Sequence, residues 1–590
     1  MKLNYKRTLL VGFAFFLICV FWQAYDTLVP LMLTNKFGLD QTWSGVIMSL
    51  DNILALFMLP LFGALSDKKD TRFGKRTPFI FIGTICAIVC FMGLTLVDNA
   101  QLAKLSDGDN SVYWSESYVV ENKEYQSITN KDVPQKYSVQ DYAAVILKGK
   151  SYAELTEEEK TEVKDWYVGL DYDQYYVYNA ADNSYKALKT EKDANGKLTY
   201  AYLDGSPLED GVRKTNAYTS IVSSAESQFA KAVSNNNIYL MVIFIIVLLL
   251  TLVSMATFRS PAVALMPDVT VKPLRSKANA IINLMGTAGG IVVLGLGMIF
   301  QTGAVKNQMM SYTWFVSAVC GIMAIALVVF IFTVKEKKWN AEMLERQELL
   351  DAEEERENGV KDETVEVSAD ENSESVVTAP ATKNRMPKDK LRSLILILAS
   401  VALWFIGYNA VTSKYSVYAL NELNKDYNAT LMIAQVAAVI AYIPVGLVAS
   451  KIGRKKTILI GVAMLTVAFG GAIFINSSSP TWLMWILFAL AGIAWATINV
   501  NSFPMVVELA QGNDIGKYTG YYYTASMAAQ VVTPILSGAL MDAVGSMRVL
   551  FPYATIFVAL AFVTMIFVKH GDSRPEQPKS KLEMLGGADD

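Results

Sequence analysis

Twelve long apolar runs, separated by polar connectors, set the pattern of this chain. A hydrocarbon core about 30 Å thick needs roughly 20 apolar residues per helical crossing, and each run is long enough to cross with some tilt. The pattern therefore predicts an all-α membrane protein. The predicted spans are residues 8–33, 42–66, 77–98, 236–258, 275–301, 310–334, 392–418, 428–450, 456–475, 480–503, 516–540 and 548–569.

Two long polar segments interrupt the apolar runs and, together with a polar tail, divide the chain into six parts. The first segment follows the third span and the second follows the sixth, so the second separates two halves of six spans each. The predicted parts are residues 1–98 (spans one to three), 99–235 (an insertion), 236–334 (spans four to six), 335–391 (a linker), 392–570 (spans seven to twelve) and 571–590 (a tail).

The insertion, residues 99–235, carries signals for both helix and strand. Thr156 followed by Glu159 is the pattern of a helix-capping box. Tyrosine-rich stretches at 175–178 and 198–202 predict a β-hairpin, with an Asn-Gly turn at 195–196 just before the return strand. We therefore predict a small α+β fold for this insertion.

The linker, residues 335–391, opens with a charged, helix-like run and then loses helical periodicity. Such composition is typical of a segment that is at least partly disordered. The first apolar run is longer than the core of a signal peptide, so we read it as an uncleaved first span.

Basic residues are concentrated in alternate connectors, at 68–76, 259–277 and 451–456. Lys and Arg are enriched in cytoplasmic loops of membrane proteins. The asymmetry places both termini and the linker in the cytoplasm and the insertion outside. We expect a multi-pass protein of the cell membrane.

The two halves repeat one another. An offset of 383 residues relates Tyr25 to Tyr408, Asp26 to Asn409 and Gly63 to Gly446, and a basic turn follows the glycine in each half. Internal repeats of this kind are common in transporters, whose binding sites lie between the repeats. The spacing therefore indicates duplicated helical bundles.

The amino-acid composition excludes several classes of function. Hydrophobic residues make up 53% of the chain and the mean hydropathy is +0.30, which is too apolar for an ordinary soluble protein. The net charge is −3 and the basic residues are scattered along the chain, so nucleic acid is not an expected partner. The expected partner is the lipid bilayer.

The rarity of histidine limits the chemistry. His570 is the only histidine and follows the last apolar run, so carboxylates must carry any proton within the membrane. The four cysteines lie in apolar runs and imply no disulfide framework. We find no metal-ligand set, nucleophile triad or phosphate-binding loop, so we predict neither an enzyme, a metal site nor a cofactor.

Several motifs resemble one transporter family. Residues 63–78 (GALSDKKDTRFGKRTP) resemble the cytoplasmic gate motif of the major facilitator superfamily in its sucrose-transporter-like form. Residues 259–268, 278–283, 492–496 and 516–520 are similar to the glycoside/sucrose:H⁺ symporters and their animal and plant relatives. The resemblance implies two six-helix bundles, alternating access and an oligosaccharide substrate. The implied gate residues are Gly63, Asp67, Arg72, Gly74, Lys75, Arg76 and Arg259.

The resemblance breaks at two positions. Ser450 stands in the second half where the first half has Asp67, so we expect an asymmetric gate. Leu252 stands where the plant symporters carry a protonatable aspartate. The coupling residue must therefore lie elsewhere in this chain.

Two acidic residues interrupt apolar spans. A carboxylate at the bilayer centre costs roughly 2.5–3.5 kcal/mol on insertion scales, so such groups face a wet cavity or a partner. Asp26 and Asp51 are therefore the candidate proton-coupling residues, with Asp26 preferred. The alternative is a structural ion pair between Asp26 and either Lys414 or Arg259.

A sugar site needs convergent hydrogen-bonding groups and an aromatic face for the ring. Polar and aromatic residues within apolar spans are the candidates, although such residues also serve as interhelical hydrogen bonds. The predicted substrate-binding residues are Gln23, Tyr25, Asn279, Asn283, Trp404, Tyr408, Asn409, Gln435, Trp495, Asn499, Asn501 and Gln530.

These observations predict a secondary active transporter that carries sucrose, maltose or a similar glycoside with protons by alternating access. Na⁺-coupled transport or export of another polar solute is the alternative within the transporter class. A surface-binding receptor that uses residues 99–235 is the alternative of another class.

Overall fold

The computed structural model describes most of the chain. The described residues are 3–69, 71–105, 148, 154–168, 175–179, 184–192, 198–208, 214–216, 230–231, 233–271, 274–304, 307, 310–363, 387–423, 425–476, 479–509 and 515–570. The predicted Asn-Gly turn at 195–196 and the tail lie outside them.

Long helices form at each predicted span. In the first half these are α1 Tyr5–Leu31, α2 Gln41–Asp67, α3 Thr77–Leu105, α4 Ile238–Asp268, α5 Arg275–Ile299 and α6 Thr313–Thr333. In the second half they are α7 Lys388–Asn421, α8 Tyr427–Ile452, α9 Arg454–Ala472, α10 Thr481–Val507, α11 Ile515–Val544 and α12 Leu550–Ile566.

Length and hydropathy make this a multi-pass membrane protein. Among the described residues, eleven helices are long and apolar enough to cross a bilayer. The predicted eighth span falls on α8, in which the described residues provide an apolar stretch over Tyr427–Tyr442. A twelfth crossing at α8 therefore stays a prediction.

Local sequence sets several helix ends. Asn4 caps α1 by accepting a hydrogen bond from Arg7 N at 3.2 Å, and Asp426 caps α8 through Asn428 N at 2.7 Å. Gly453 separates α8 from α9 with φ of 92°, a conformation that glycine adopts without steric cost.

Each half has its own hydrophobic core. One core runs from Val11 to Trp339 and the other, apart from Leu31, from Leu394 to Val568. Within the halves, α3 packs on α4 as α9 packs on α10, and α1 packs on α6 as α7 packs on α12. Between the halves, α2 packs on α11 and α5 on α8. Exchanging helix n with helix n+6 preserves these pairs, so the halves are related by a pseudo-two-fold axis.

A buried ion pair anchors the end of α1. A π-helical turn, Met32–Lys36, follows α1, and Lys36 Nζ lies 2.5 Å from Asp98 Oδ2 on α3, with both side chains fully buried. Lys36 also donates to Met310 O at 2.7 Å. Charged hydrogen bonds on both sides compensate for the burial of this ammonium group.

The insertion contains a helix and a four-stranded antiparallel sheet. The helix Glu157–Val168 begins with the predicted capping box: Thr156 N donates to Glu159 Oε2 at 2.9 Å, and Glu159 N donates to Thr156 Oγ1 at 3.3 Å. The sheet has the order β3-β2-β1-β4. Its strands are β1 Tyr175–Asn179, β2 Ser184–Lys192, β3 Leu198–Tyr202 and β4 Lys214–Asn216.

The predicted hairpin needs a correction. The strand at 198–202 pairs with β2, and β2 in turn pairs with β1. β2 was not predicted from the sequence, because its many polar and charged residues (SYKALKTEK) resemble a loop. The small core of this sheet is formed by two buried residues of adjacent strands, Val177 of β1 and Leu188 of β2.

The charged start of the linker forms the helix Glu336–Glu363. This linker helix packs beneath the first bundle, where Asn340 Nδ2 donates to Asp268 O at 2.6 Å. The aperiodic part of the linker, 364–386, lies outside the described residues.

Candidate functional site

A cavity of about 850 Å³ lies between the two bundles. We call the end of the bundles that carries residues 68–76 the basic end, and the end that carries the insertion the insertion end. The cavity reaches Pro267 and Arg275 at the basic end. Of the predicted site residues, its wall contains Gln23, Asp26, Arg259, Asn279, Asn283, Tyr408, Gln435 and Trp495.

Contacts between the bundles close the cavity at the insertion end. Lys414 Nζ donates to Gln41 O at 2.7 Å, Asn421 Nδ2 donates to Asn35 Oδ1 at 3.2 Å, and Tyr427 OH donates to Thr302 Oγ1 at 3.0 Å. The cavity therefore faces the basic end.

One hydrogen bond joins the bundles inside the cavity. Gln435 Nε2 on α8 donates to Gln23 Oε1 on α1 at 2.5 Å. Gly290 on α5 makes room for this pair, because a Cβ atom there would lie 2.8 Å from Gln435 Oε1. Residues of three helices, α1, α5 and α8, therefore meet at this hydrogen bond.

An aromatic pair forms part of the second bundle's wall. The rings of Tyr408 and Trp495 stack with centroids 3.5 Å apart and an angle of 4° between their planes. Phe405 supports Trp495 edge-on at 5.3 Å. Because both stacked residues line the cavity, they offer an apolar surface beside polar groups.

Several polar atoms of the cavity wall have no hydrogen-bond partner among the described residues. They are Trp22 Nε1, Asn283 Nδ2, Ser416 Oγ and Gln435 Oε1. Buried polar groups are nearly always paired. An unpaired set of donors and acceptors around one cavity is chemically suited to a polar ligand with several hydroxyl groups.

Asp26 brings a carboxyl group to the cavity. Its side chain is exposed although it lies within α1, because the cavity reaches it. Arg259 on α4 also lines the cavity, with its guanidinium 5.4 Å from the centre of the Trp22 ring, and it acts electrostatically on both Asp26 and Asp51.

Asp51 lies outside this cavity. It lines a small adjacent pocket together with Trp22, Arg259 and Leu252, and its Oδ1 accepts from Asn52 N at 2.6 Å and from Asn52 Nδ2 at 2.8 Å. Leu252 is one of the two positions at which the family resemblance breaks. Trp22 and Arg259 line both spaces and so lie between the two acidic residues.

The two structural partners considered for Asp26 differ in position. Lys414 is fully buried and donates to Gln41 O at 2.7 Å, so it serves the contact at the insertion end. Arg259 remains the cation near Asp26.

Six predicted binding residues lie away from the cavity wall. Tyr25 and Trp404 are fully buried in the bundle cores. Asn409 Nδ2 donates to Phe405 O at 2.8 Å and Asn501 Nδ2 donates to Thr497 O at 3.0 Å, each within its own helix. Asn499 and Gln530 are half-buried elsewhere. We leave these six out of the proposed site, because none of them lines the cavity.

Other residues of the wall were not predicted from the sequence. These include Trp22, Thr27, Thr412, Ser416 and Tyr442. A signal was present: Tyr408, Thr412 and Ser416 follow one another at intervals of four residues, which puts them on one face of a helix.

Arg76 forms the ion pairs and hydrogen bonds that link the predicted gate motif, residues 63–78 (the gate loop), to the end of α4. Its guanidinium pairs with Asp67 and, at 2.8 Å, with Asp268 Oδ2 at the end of α4. It also reaches Gly63 O at 3.4 Å. Arg72 lies over the ring of Phe73, 4.7 Å from its centre.

Glu336 of the linker helix organises the same loop. Its carboxylate accepts from Lys75 N at 2.6 Å, Arg76 N at 2.8 Å and Thr77 N at 2.7 Å. Gly74, with φ of 119°, fits closely because a Cβ atom would lie 2.3 Å from Glu336 Cδ. The contacts of Asp268 and Glu336 with the predicted gate loop were not predicted from the sequence, because both residues are remote from it in the chain.

The second bundle has a different arrangement at this end. Arg454 at the start of α9 pairs with Glu508 at the end of α10. The side chain of Ser450 lies outside the described residues.

Comparisons with known proteins agree with this architecture. The chain matches the family described as Major Facilitator Superfamily over residues 219–441 and 424–586, more than half of its length, and the family described as MFS/sugar transport protein over residues 10–108.

Individual proteins are similar over different lengths. An uncharacterized MFS-type transporter of Methanocaldococcus jannaschii is 28% identical over 127 residues, which is 21% of this chain and 30% of that protein. The inward open structure of the xylose transporter XylE from E. coli has a TM-score of 0.53 at 11% identity and covers 99% of both chains. The structure of a D-xylose-proton symporter has a TM-score of 0.51 at 11% identity and covers 96% of this chain and 99% of the other.

Proposed function

The chain belongs to the Major Facilitator Superfamily, and on that premise we propose that it is a secondary active transporter that moves a sugar together with protons. Sucrose, maltose or a similar glycoside is the proposed substrate class. The observation that carries the proposal is the cavity between the bundles, in which a stacked aromatic pair lies near unpaired polar atoms.

The wall chemistry suits a sugar. The C–H face of a pyranose ring packs on aromatic surface, while its hydroxyl groups need both donors and acceptors. Tyr408 and Trp495 supply the surface. Asn283 and Gln435, which also line the cavity, each carry a buried polar atom without a hydrogen-bond partner, Nδ2 and Oε1 respectively. A volume of about 850 Å³ falls within the usual range for small-molecule sites, roughly 300–1,000 Å³.

Proton coupling is assigned to Asp26. A carboxylate within a membrane helix is costly unless it serves a pathway, and Asp26 is exposed to the cavity in which the sugar would bind. Arg259, which also lines the cavity, supplies a positive charge near Asp26. Binding of a proton to Asp26 therefore alters the electrostatics of the sugar site directly.

Alternating access explains the asymmetry of the cavity. The cavity is closed at the insertion end and extends to the basic end, and the repeated halves supply two rigid bodies that can rock about the site. We propose twelve membrane crossings in the cell membrane, with the basic end and both termini cytoplasmic and the insertion extracellular.

Binding to the purified protein tests the substrate class. Sucrose, maltose and other glycosides are titrated one at a time while tryptophan fluorescence is followed, because Trp22 and Trp495 line the site. We expect a saturable change with one or a few glycosides and none with an uncharged polyol. Saturable binding of another class of polar solute, with no response to any glycoside, would contradict the proposal.

A further inference from the structure

The start of α2 is capped by a carboxylate from the other bundle. Asp542 on α11 accepts from Gln41 N at 3.0 Å, from Thr42 N at 2.7 Å and from Thr42 Oγ1. The first backbone N–H groups of a helix have no partner within the helix and favour a negative charge. This contact therefore holds the two bundles together at the insertion end.

The residue placed to cap α2 locally is turned away. Asp40 is at the N-cap position, with φ of −62° and ψ of 158°, yet its side chain makes no capping hydrogen bond. Aspartate is among the best N-cap residues. Both oxygens of Asp40 instead accept from Lys231 Nζ, at 3.0 Å and 2.9 Å.

Lys231 belongs to the insertion and is held in place by its backbone. Gly38, with φ of 64°, allows this close approach, because a Cβ atom there would lie 2.2 Å from Lys231 N. Three residues further on, Ser234 Oγ accepts from Gln101 Nε2 at 2.9 Å. The end of the insertion is thus fixed against the connection between α1 and α2.

We propose that Asp40 and Asp542 are alternative caps of α2, and that Lys231 selects between them. While Lys231 holds Asp40, the amides of α2 are satisfied by Asp542 and the bundles stay joined at the insertion end. When the bundles separate there, Asp542 leaves and Asp40 takes its place. The insertion therefore biases the transporter towards the form that is open at the basic end.

Close packing makes the contact between α2 and α11 suitable as a gate. Cβ atoms at Gly45 and Gly538 would lie 2.1 Å from Pro534 O and 2.3 Å from Gln41 O, respectively. Lys414 adds its hydrogen bond to Gln41 O. Because α2 and α11 are packed this closely, the two helices are either in full contact or separated, and intermediate positions are disfavoured.

The distance between α2 and α11 tests this device. Spin labels are attached at Trp43→Cys and Val544→Cys, two positions that are 59% and 56% exposed. The distance between the two labels is measured by double electron–electron resonance on the full chain in nanodiscs without sugar. The native cysteines Cys19, Cys86, Cys90 and Cys320 are replaced by serine.

We expect three outcomes from the variants. Asp542→Ala raises the ratio of separated to joined forms about fivefold, the factor corresponding to a helix cap worth about 1 kcal/mol. Lys231→Ala raises it in the same direction by freeing Asp40. Adding Asp40→Ala to Lys231→Ala removes that increase, because no alternative cap remains.

Lys160→Ala is the matched control, since Lys160 pairs with Glu157 inside the insertion helix; it should leave the distances unchanged. Identical distances in Lys231→Ala and Lys231→Ala/Asp40→Ala would overturn the alternative cap, and unchanged distances in Asp542→Ala would overturn the gate. A monodisperse elution profile verifies that each variant is folded.

The device rests on the alternating access of the proposed function. Because the distances are measured without substrate, failure of the capping exchange is distinguishable from failure of sugar transport.

Discussion

Gln435 Nε2 donates to Gln23 Oε1 at 2.5 Å across the cavity, and it does so while Gln435 Oε1 has no partner among the described residues. The pair joins the bundles at the level of the proposed sugar site. A sugar hydroxyl that accepts from one glutamine and donates to the other can replace this direct bond. On the proposed function, a bound sugar would thus replace this contact between the bundles.

Gly290 should be sensitive to enlargement because it faces this pair. Gly290→Ala places a methyl group 2.8 Å from Gln435 Oε1, so the glutamine must move and sugar affinity should fall about tenfold, an effect of roughly 1.4 kcal/mol. Gly295→Ala on the same helix has nothing within 4 Å of its new Cβ atom and should bind sugar normally. Equal affinities of the two variants in a binding titration would argue against a site at Gln435.

The aromatic pair should contribute through its flat surface. Trp495→Ala removes one of the two stacked rings and should weaken sugar binding about twofold to tenfold, in line with roughly 0.5–1.5 kcal/mol for an aromatic contact. Trp495→Phe should recover part of the loss. Trp314→Ala, at a position 76% exposed on the outside of α6, is the control and should not change the dissociation constant.

Asn283 and Asn501 should behave differently although both are intramembrane asparagines. Asn283→Ala removes an unpaired donor in the cavity, so sugar affinity should fall about twofold to tenfold, as expected for one hydrogen bond. Asn501→Ala removes a bond to Thr497 O within α10 and should leave affinity unchanged. The reverse order of affinities would place the site elsewhere.

That contrast indicates how far sequence alone could go. The length of each apolar run predicted the helices, since crossing a bilayer demands about 20 residues, and the offset between Tyr25 and Tyr408 predicted the duplication. Which face of each helix lines the cavity could not be predicted from the sequence. Trp404 and Trp495 are alike in sequence context, yet one is buried in the core of its own bundle and the other lines the cavity.

The gate loop shows a second limit. Arg76 and Gly74 were predicted from a local motif, but the carboxylate that binds the loop belongs to Glu336, about 260 residues away. Periodicity and motif spacing carry no information on such a contact. The same holds for Asp542 and Thr42, which are separated by 500 residues.

Glu336 should be important for stability at the basic end. It is 3% exposed, so Glu336→Ala leaves three backbone N–H groups without their acceptor. Those of Arg76 and Thr77 are buried, at about 1–3 kcal/mol for each buried group. The apparent melting temperature should fall clearly, with sugar affinity retained. Glu342→Ala, on the same helix as Glu336, removes a partly exposed ion pair with Arg7 of α1 and should change the melting temperature little. Equal losses in both variants would contradict the role of Glu336.

Proton movement during sugar uptake is the most direct test of the central claim. Purified protein is reconstituted in liposomes containing a pH indicator, and the glycoside that binds most tightly is added outside. We expect sugar-dependent acidification of the lumen, and we expect Asp26→Asn to abolish it while sugar binding and sugar exchange persist. Asp51→Asn, whose side chain lies outside the cavity, should still acidify the lumen. Sugar accumulation that depends on a Na⁺ gradient and moves no protons, or full acidification by Asp26→Asn, would contradict proton symport through Asp26.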